Sequence, residues 1–305
     1  MRWPADEDFW TGINLPWLRY GNDFGANRWQ PAGGVGRPER RAALRATLAG
    51  LADRGFTVVR WFMLADGRAG LTEPPASEVT GLDQWVFRDA DAALEELGRA
   101  GLKVIFVLFD FHWFRRSCTV DGVRTGGRGP LAVDPERRPR LLEGVVAPLL
   151  SRYGGHGAIL AWDVVNEPEW VTRGLRLLPR PSEVPRRAMR AFIRDVVGLI
   201  HDQTAHAATV GSASTSTLWL VEGLGLDVYQ VHWYDRLSTQ APLGRPVASL
   251  GLDRPLVLGE FPTRGSRLAP GEILDMARQA GYAGALAWSA LAGDEASQMD
   301  ALAPP

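Results

Sequence analysis

The chain has 305 residues, of which 46 % are hydrophobic and 23 % are charged, and its formal net charge is −1. This balance is ordinary for a globular protein with a substantial core, and it gives no basis for binding nucleic acid or an anionic membrane. Cys118 is the only cysteine, which excludes an internal disulfide and a paired-cysteine zinc or redox site.

Eight short apolar runs follow one another along the chain and predict eight buried β-strands. They span 12–17, 56–64, 102–113, 158–168, 208–214, 227–234, 255–261 and 283–290. Segments with apolar residues at helical spacing lie between them, at 38–55, 82–101, 138–155, 185–203 and 270–281. Glycine closes some of these segments at the position where a helix C-cap is expected.

The alternation of strands and helices predicts a parallel sheet with helical crossovers, in the α/β class. Eight repeats within about 300 residues fit a closed (β/α)8 barrel, the TIM barrel. The alternative is an open doubly wound sheet, which would usually carry a glycine-rich phosphate loop after its first strand. The residues there, LPWLRYGNDFG, contain no such loop.

Two parts of the predicted barrel are short. The fifth and sixth crossovers leave room only for short helices, and the 15 residues after position 290 predict a truncated final helix. No linker or change of composition divides the chain. We therefore expect a single domain over residues 1–305.

Polar side chains at the carboxyl ends of the strands are the informative ones, because barrel active sites gather there. They are Arg60 within the second strand, His112 at the end of the third, Asn166 and Glu167 at the end of the fourth, His232 and Tyr234 at the end of the sixth, Glu260 at the end of the seventh and Trp288 at the end of the eighth. Strand alternation predicts that Leu256, Leu258 and Glu260 share one face, as do Gln230, His232 and Tyr234.

Glu167 and Glu260 end the fourth and seventh strands, which lie nearly opposite each other in an eight-stranded barrel. Glycoside hydrolysis uses two such carboxyl groups: one protonates the leaving oxygen and the other attacks the anomeric carbon. One must stay protonated near neutral pH while the other is ionised, which burial and a nearby like charge achieve together. Arg60 and Tyr234 are suited to hold the ionised group, by charge and by a hydroxyl hydrogen bond.

These motifs resemble those of glycoside hydrolase clan A, and most closely family 5, which includes cellulases, mannanases and related β-glycosidases. YGGHGAILAWDVVNEPEW (153–170) resembles the family's strand-four signature, and LVLGEF (256–261) resembles its strand-seven signature. VVRW, FDFHW, VHWY and ALAWSA match the family's Arg, His, His-x-Tyr and Trp positions. The motifs occur in the family's order over nearly the whole chain.

The resemblance implies a retaining β-glycosidase with Glu167 as acid/base and Glu260 as nucleophile. It implies that Asn166 bonds the substrate 2-hydroxyl, and that Arg60 and Tyr234 orient Glu260. No cofactor or metal is implied.

The resemblance also implies three sugar contacts in the −1 subsite. His112 and His232 are expected to line this subsite, and Trp288 is expected to stack beneath the sugar. The peptide bond between Trp288 and Ser289 is expected to be cis, as it often is in such enzymes.

Other residues near the mouth are weaker candidates. Asp110 and Asp163 face inward by parity and are expected to support their neighbours. Twelve tryptophans are an unusually large number, and four near the mouth are suited either to a sugar platform or to packing. The four tryptophans are Trp113, Trp170, Trp219 and Trp233. Tyr20 and Asp23, in the first loop, are two further candidates for sugar contacts.

Three other functions stay open. A metal-dependent barrel hydrolase would usually need a His-x-His pair near the first strand, and INLPWL supplies no ligand. A non-catalytic carbohydrate-binding barrel would keep the fold, although both glutamate positions are filled here. A transglycosylase would use the same two carboxylates, and the sequence does not separate it from a hydrolase.

The expected partner is a β-linked oligosaccharide or short glycan, with no nucleic acid and no membrane. The first ten residues, MRWPADEDFW, carry acidic residues where a signal peptide needs an apolar core. The sequence therefore predicts a cytoplasmic protein, or a secreted one if an export signal has been removed.

Overall fold

Eight parallel strands form a closed barrel in the computed structural model, which describes residues 9–72, 79–173, 184–235, 241–291 and 293–298. In chain order the strands are β1 (Trp10–Asn14), β2 (Val58–Phe62), β3 (Lys103–Asp110), β4 (Ile159–Asn166), β5 (Ala207–Ser212), β6 (Tyr229–His232), β7 (Leu256–Pro262) and β8 (Gly284–Trp288). The first strand pairs with both β2 and β8, which closes the barrel. The predicted (β/α)8 fold is confirmed.

A short helix, Gly129–Val133, lies outside the predicted segments, whereas the longer helices lie where the apolar periodicity places them. They are α1 (Pro38–Asp53), α2 (Gln84–Ala100), α3, α4 (Arg186–Gln203) and α5 (Pro270–Ala280). Helix α3 runs through Arg138–Leu141, a π-helical segment Leu142–Val146, and Ala147–Tyr153. Asp83 caps α2 by accepting hydrogen bonds from two backbone N–H groups, and Gly101 ends it with a left-handed φ of 70°.

In their described residues, the fifth and sixth crossovers contain only 3-10 turns, at Thr215–Leu220 and Val247–Leu250. After β8, the described residues 289–291 and 293–298 contain no helix. The first eight residues and residues 299–305 lie outside the described part, so the N-terminal signal argument is not tested there. No helix in the described ranges is both long and apolar enough to cross a membrane.

One apolar layer covers the outside of the barrel wall, and a second lies inside the barrel. The larger layer joins the outer faces of the strands to the helices. The smaller layer fills the lower interior of the barrel and consists of Val58, Ile105, Ala161, Ala207, Val228, Val257 and Leu286. Polar side chains lie above it, among them Arg60, Asp163 and Gln230, all nearly inaccessible to solvent. The polar site therefore rests on an apolar base.

The predicted alternation along β7 is wrong. Leu256 and Leu258 belong to the outer apolar layer, whereas Val257 lies in the interior. The pairing of β7 shifts register against both β6 and β8 near Glu260, and this irregularity turns its carboxylate to the interior. Gly259 leaves space for Gln230, because a Cβ at 259 would lie 2.3 Å from the Gln230 Cγ.

Candidate active site

A cavity of about 400 Å³ opens at the carboxyl end of the barrel. Six of the predicted site residues line it, namely His112, Asn166, Glu167, Tyr234, Glu260 and Trp288, together with the weaker candidates Tyr20, Asp110 and Trp170. Arg60 and His232 do not line it, because their side chains are buried behind the carboxylates. The strands therefore bring the predicted residues together, with most of them lining the cavity and with Arg60 and His232 behind the carboxylates.

Glu260 lies in contact with a buried cation and a hydroxyl. Arg60 Nη1 donates to Glu260 Oε1 at 2.8 Å, and the Tyr234 hydroxyl donates to Glu260 Oε2 at 2.8 Å. Both of these bonds stabilise the ionised carboxylate. Burial raises the pKa of Glu260, and the neighbouring His232, Arg60 and Tyr234 act in the opposite direction.

Arg60 is held by further polar groups at the centre of the barrel. It donates to Asp163 Oδ2 at 2.8 and 3.0 Å, to Asn14 Oδ1 at 3.0 Å and to Asn166 Oδ1 at 2.7 Å. Gln230 also donates to Asp163, at 2.7 Å. The guanidinium is therefore fixed in place, and it fixes the direction of the Glu260 carboxylate.

Glu167 has a different environment from Glu260. Burial raises its pKa from the ordinary 4.5 to about 7, and a hydrogen bond from Trp170 lowers it. Its Oε1 lies 2.8 Å from His232 Nδ1. No cation is in hydrogen-bonding contact with this carboxyl group in the described part of the chain. Glu167 is therefore suited to carry a proton near neutral pH.

His232 lies between the two carboxyl groups. Its Nδ1 is 2.8 Å from Glu167 Oε1 and 3.5 Å from Glu260 Oε2. Burial lowers the pKa of His232 to about 4, so the imidazole is neutral near pH 7. An oxygen of each carboxyl group and a His232 nitrogen all lie within 4.8 Å of one another. This spacing fits the roughly 5–5.5 Å separation of retaining glycosidases better than the roughly 6.5–9.5 Å separation of inverting ones.

Asn166 and His112 form a second hydrogen-bonded set. Asn166 Nδ2 donates to Asp110 Oδ2 at 2.9 Å, and His112 Nδ1 bonds the other Asp110 oxygen. Arg115 Nη1 lies 3.0 Å from His112 Nε2. Because a guanidinium can only donate, Nε2 accepts and the His112 proton lies on Nδ1, toward Asp110. Asp110 therefore positions both side chains, which is the supporting role that the sequence predicted for it.

An aromatic wall forms one side of the cavity. Trp17 and Trp288 meet at 6.2 Å between ring centroids, and Trp17 also contacts Tyr20 and Phe62. The Trp288 indole donates to Asp294 at 2.9 Å, and the peptide bond after Trp288 is cis, as the resemblance implies. Sequence analysis missed Trp17 because the predicted first strand included it, whereas β1 ends at Asn14.

The weaker candidates separate clearly. Trp113 is fully buried against Phe109, and Trp219 packs against Arg186 outside the cavity. Trp233 is also buried and does not line the cavity. Asp23 accepts from Trp61 Nε1 and two backbone N–H groups, so it is committed to the loop. Tyr20 and Trp170 line the cavity.

Glu167, His232 and Glu260 lie close enough to one another to hold a metal ion, but their existing contacts disfavour one. Arg60 already supplies a positive charge 2.8 Å from Glu260. The Tyr234 hydroxyl occupies the other Glu260 oxygen. A divalent cation there would meet the guanidinium charge at close range.

No family model matches the chain. A mannan endo-1,4-β-mannosidase of Mytilus edulis is 24 % identical over 320 aligned residues, which cover 92 % of this chain and 83 % of that protein. Among solved structures, an endo-1,4-β-mannanase of Eisenia fetida has a TM-score of 0.80 at 21 % identity, covering 98 % of this chain and 90 % of that one. A β-1,4-D-mannanase of Cryptopygus antarcticus has a TM-score of 0.78 at 20 % identity, covering 95 % and 86 %.

The barrel fold and the mannanase relatives together show that the chain is a glycoside hydrolase. The chain is a retaining β-glycosidase similar to the members of family 5 in clan A. The resemblance noted in the sequence is therefore confirmed for the fold and for the reaction class.

Proposed function

We propose that this enzyme hydrolyses β-1,4 bonds within mannan-type glycans, with Glu167 as acid/base and Glu260 as nucleophile. The observation that carries the assignment is the contrast between the two carboxyl groups. Burial raises the pKa of both groups, but Glu260 receives bonds from the Arg60 guanidinium and the Tyr234 hydroxyl that favour its ionised form, whereas no cation bonds Glu167 among the described residues and its pKa is raised to about 7. The mannanase relative supports the choice of substrate.

The reaction proceeds by two displacements. Glu260 attacks the anomeric carbon while Glu167 gives its proton to the leaving oxygen, and a covalent glycosyl-enzyme forms. Glu167, now ionised, takes a proton from water as the water attacks the same carbon. The bond to Glu260 breaks, the sugar leaves with the β configuration, and Glu167 is protonated again.

The cleft extends beyond the catalytic cavity, which supports action within a chain. A second cavity of about 790 Å³ adjoins the first and shares Tyr234 and Ala296 with it. Together they offer a continuous surface for more than one sugar unit. Asp235 and Arg264 line the second cavity, and their charged side chains are suited to bond sugar hydroxyls.

The test compares a β-1,4-mannan oligosaccharide with the matching β-1,4-glucan oligosaccharide, and then traps the intermediate. We expect faster cleavage of the mannan chain at internal bonds. A 2-deoxy-2-fluoro-glycoside should label Glu260, as read by mass spectrometry of peptides. A label on another residue would overturn the nucleophile assignment, and preference for the glucan would overturn the substrate.

Glu167 is tested by Glu167→Gln. We expect loss of activity on substrates with poor leaving groups, by about 10²- to 10⁴-fold, because the proton donor is absent. Formation of the intermediate from substrates with activated leaving groups, which need no proton, should be nearly preserved. Equal losses on both kinds of substrate would contradict the acid role.

A further inference from the structure

Trp170 contacts Glu167 directly, through a hydrogen bond that the resemblance does not imply. Its indole Nε1 donates to Glu167 Oε2 at 2.8 Å. The other oxygen, Oε1, lies 2.8 Å from His232 Nδ1. Because both oxygens have partners, the direction of the carboxyl group is set by Trp170 on one side and His232 on the other.

The backbone around Glu167 brings the indole back to the carboxyl group. Glu167 adopts the left-handed region, with φ 45° and ψ 53°, which is uncommon for a residue with a side chain. A 3-10 turn, Pro168–Trp170, follows at once, and the Trp170 backbone N–H donates to the Glu167 carbonyl at 3.1 Å. The tight turn therefore places the Trp170 side chain beside the acid three positions earlier.

This turn is bonded to β5 and to the loop that follows it. The Glu167 backbone N–H donates to the Gly211 carbonyl at 2.7 Å. Glu169 is buried, and its Oε1 accepts from the Thr217 hydroxyl at 2.9 Å. Thr172 Oγ1 donates to the Pro168 carbonyl at 2.8 Å. Trp170 is therefore carried by a rigid segment.

An indole N–H can donate and cannot accept. Its bond therefore stabilises the ionised form of Glu167 more than the protonated form, and it opposes the effect of burial. Glu167 has to serve as an acid in one step and as a base in the next. A donor of this kind moderates the pKa so that both forms are accessible near neutral pH.

We propose that Trp170 is a positioning residue that fixes the direction of the Glu167 carboxyl group and favours its ionised form. The inference rests on the proposed acid/base role of Glu167. Trp170 also lines the cavity, so Trp170→Phe keeps an aromatic ring there and removes the N–H donor. Trp219 gives a matched control, because it is also half-buried but packs on Arg186 outside the cavity.

Other charged and titratable groups face Glu167 from the neighbouring elements. They are Arg60 on β2, Asp110 and His112 at the end of β3, Glu169 on the same turn, His232 and Tyr234 from β6, and Glu260 on β7.

The first test needs no substrate. In protein labelled with ¹⁵N at the tryptophan indoles, the resonance that disappears in Trp170→Phe identifies Trp170. We expect this resonance to shift with pH in the otherwise native protein, with a midpoint near 7, and to stop shifting there in Glu167→Gln. A resonance that does not move between about pH 5 and 9, or that still titrates in Glu167→Gln, overturns the inference, since Glu169 would then be the group sensed.

The second test is the pH profile of kcat/KM on an aryl β-glycoside. In Trp170→Phe we expect the alkaline limb to move upward by about one pH unit, because a lost bond to a charged group raises the pKa of Glu167. Trp219→Phe should keep the original profile. An alkaline limb that stays in place in Trp170→Phe overturns the inference and leaves the proposed function standing. Absence of β-glycosidase activity in the unaltered enzyme would instead refute the proposed function, while the resonance test still decides the role of Trp170.

Discussion

Arg60 Nη1 lies 2.8 Å from Glu260 Oε1, and both side chains are buried in the barrel. The ion pair links β2 to β7 across the interior of the barrel. It continues on the other side of the guanidinium to Asp163 on β4, so one cation serves two carboxylates. The same residue thus contributes to the stability of the barrel and to the direction of the proposed nucleophile.

Replacing Arg60 should unfold the protein more easily. Arg60→Ala leaves the Asp163 and Glu260 carboxylates buried without their cation, and the free energy of unfolding should fall by about 3–5 kcal/mol. Urea denaturation followed by tryptophan fluorescence measures the change. Arg99→Ala is the control, because its ion pair with Glu95 is exposed and should contribute less than about 1 kcal/mol. Equal losses in the two variants would refute the prediction.

Glu167→Gln should stabilise the protein at high pH. The folded-state pKa of about 7 lies above the ordinary 4.5, so the folded protein binds more protons than the unfolded chain between these values, and stability falls as pH rises through them. Above about pH 7 the variant should gain about 1–3 kcal/mol, and the gain should vanish below about pH 4.5. Unfolding curves at several pH values measure it. Glu222→Gln, at an exposed position, should show no such pH dependence.

Tyr234→Phe should shift the acidic limb of the kcat/KM profile. The Tyr234 hydroxyl donates to Glu260 at 2.8 Å and stabilises its ionised form. Without it the pKa of Glu260 rises, so a higher pH is needed to ionise the nucleophile, and the limb should move upward by about one unit. Tyr229→Phe, which loses a bond to Asp253 instead, should keep the original limb. A shift of similar size in both variants would show that the effect is not specific to Glu260.

Gly211→Ala should damage the site while the barrel survives. A Cβ at this position would lie 2.6 Å from Arg60 Nη2 and 3.0 Å from His232 Nε2, so these groups must move. We expect kcat to fall by about 10- to 100-fold. Gly198→Ala in α4 is the control, because nothing lies within 4 Å of its Cβ and alanine should stabilise the helix. Unchanged kcat in Gly211→Ala would contradict the need for this arrangement.

The barrel could be predicted because its signals are local and repeated. Apolar runs bounded by turn residues recur eight times, and the helices between them carry their own capping residues, such as Asp83 and Gly101. Glu167 could be predicted as a site residue for the same reason, since it follows an apolar strand and precedes a proline. Trp170 was named but could not be separated from packing tryptophans, because its contact with Glu167 depends on a left-handed turn.

Only the tertiary structure decided which polar side chains line the cavity and which lie behind the carboxyl groups. Sequence alternation placed Glu260 on the face of Leu258, whereas register shifts in β7 separate the two and turn the carboxylate inward. His232 was expected to line the sugar subsite and instead lies behind the carboxyl groups. Strand alternation is a local rule. The irregular pairing at the mouth is fixed by packing between distant segments, such as Gly259 against Gln230, which no single stretch of sequence contains.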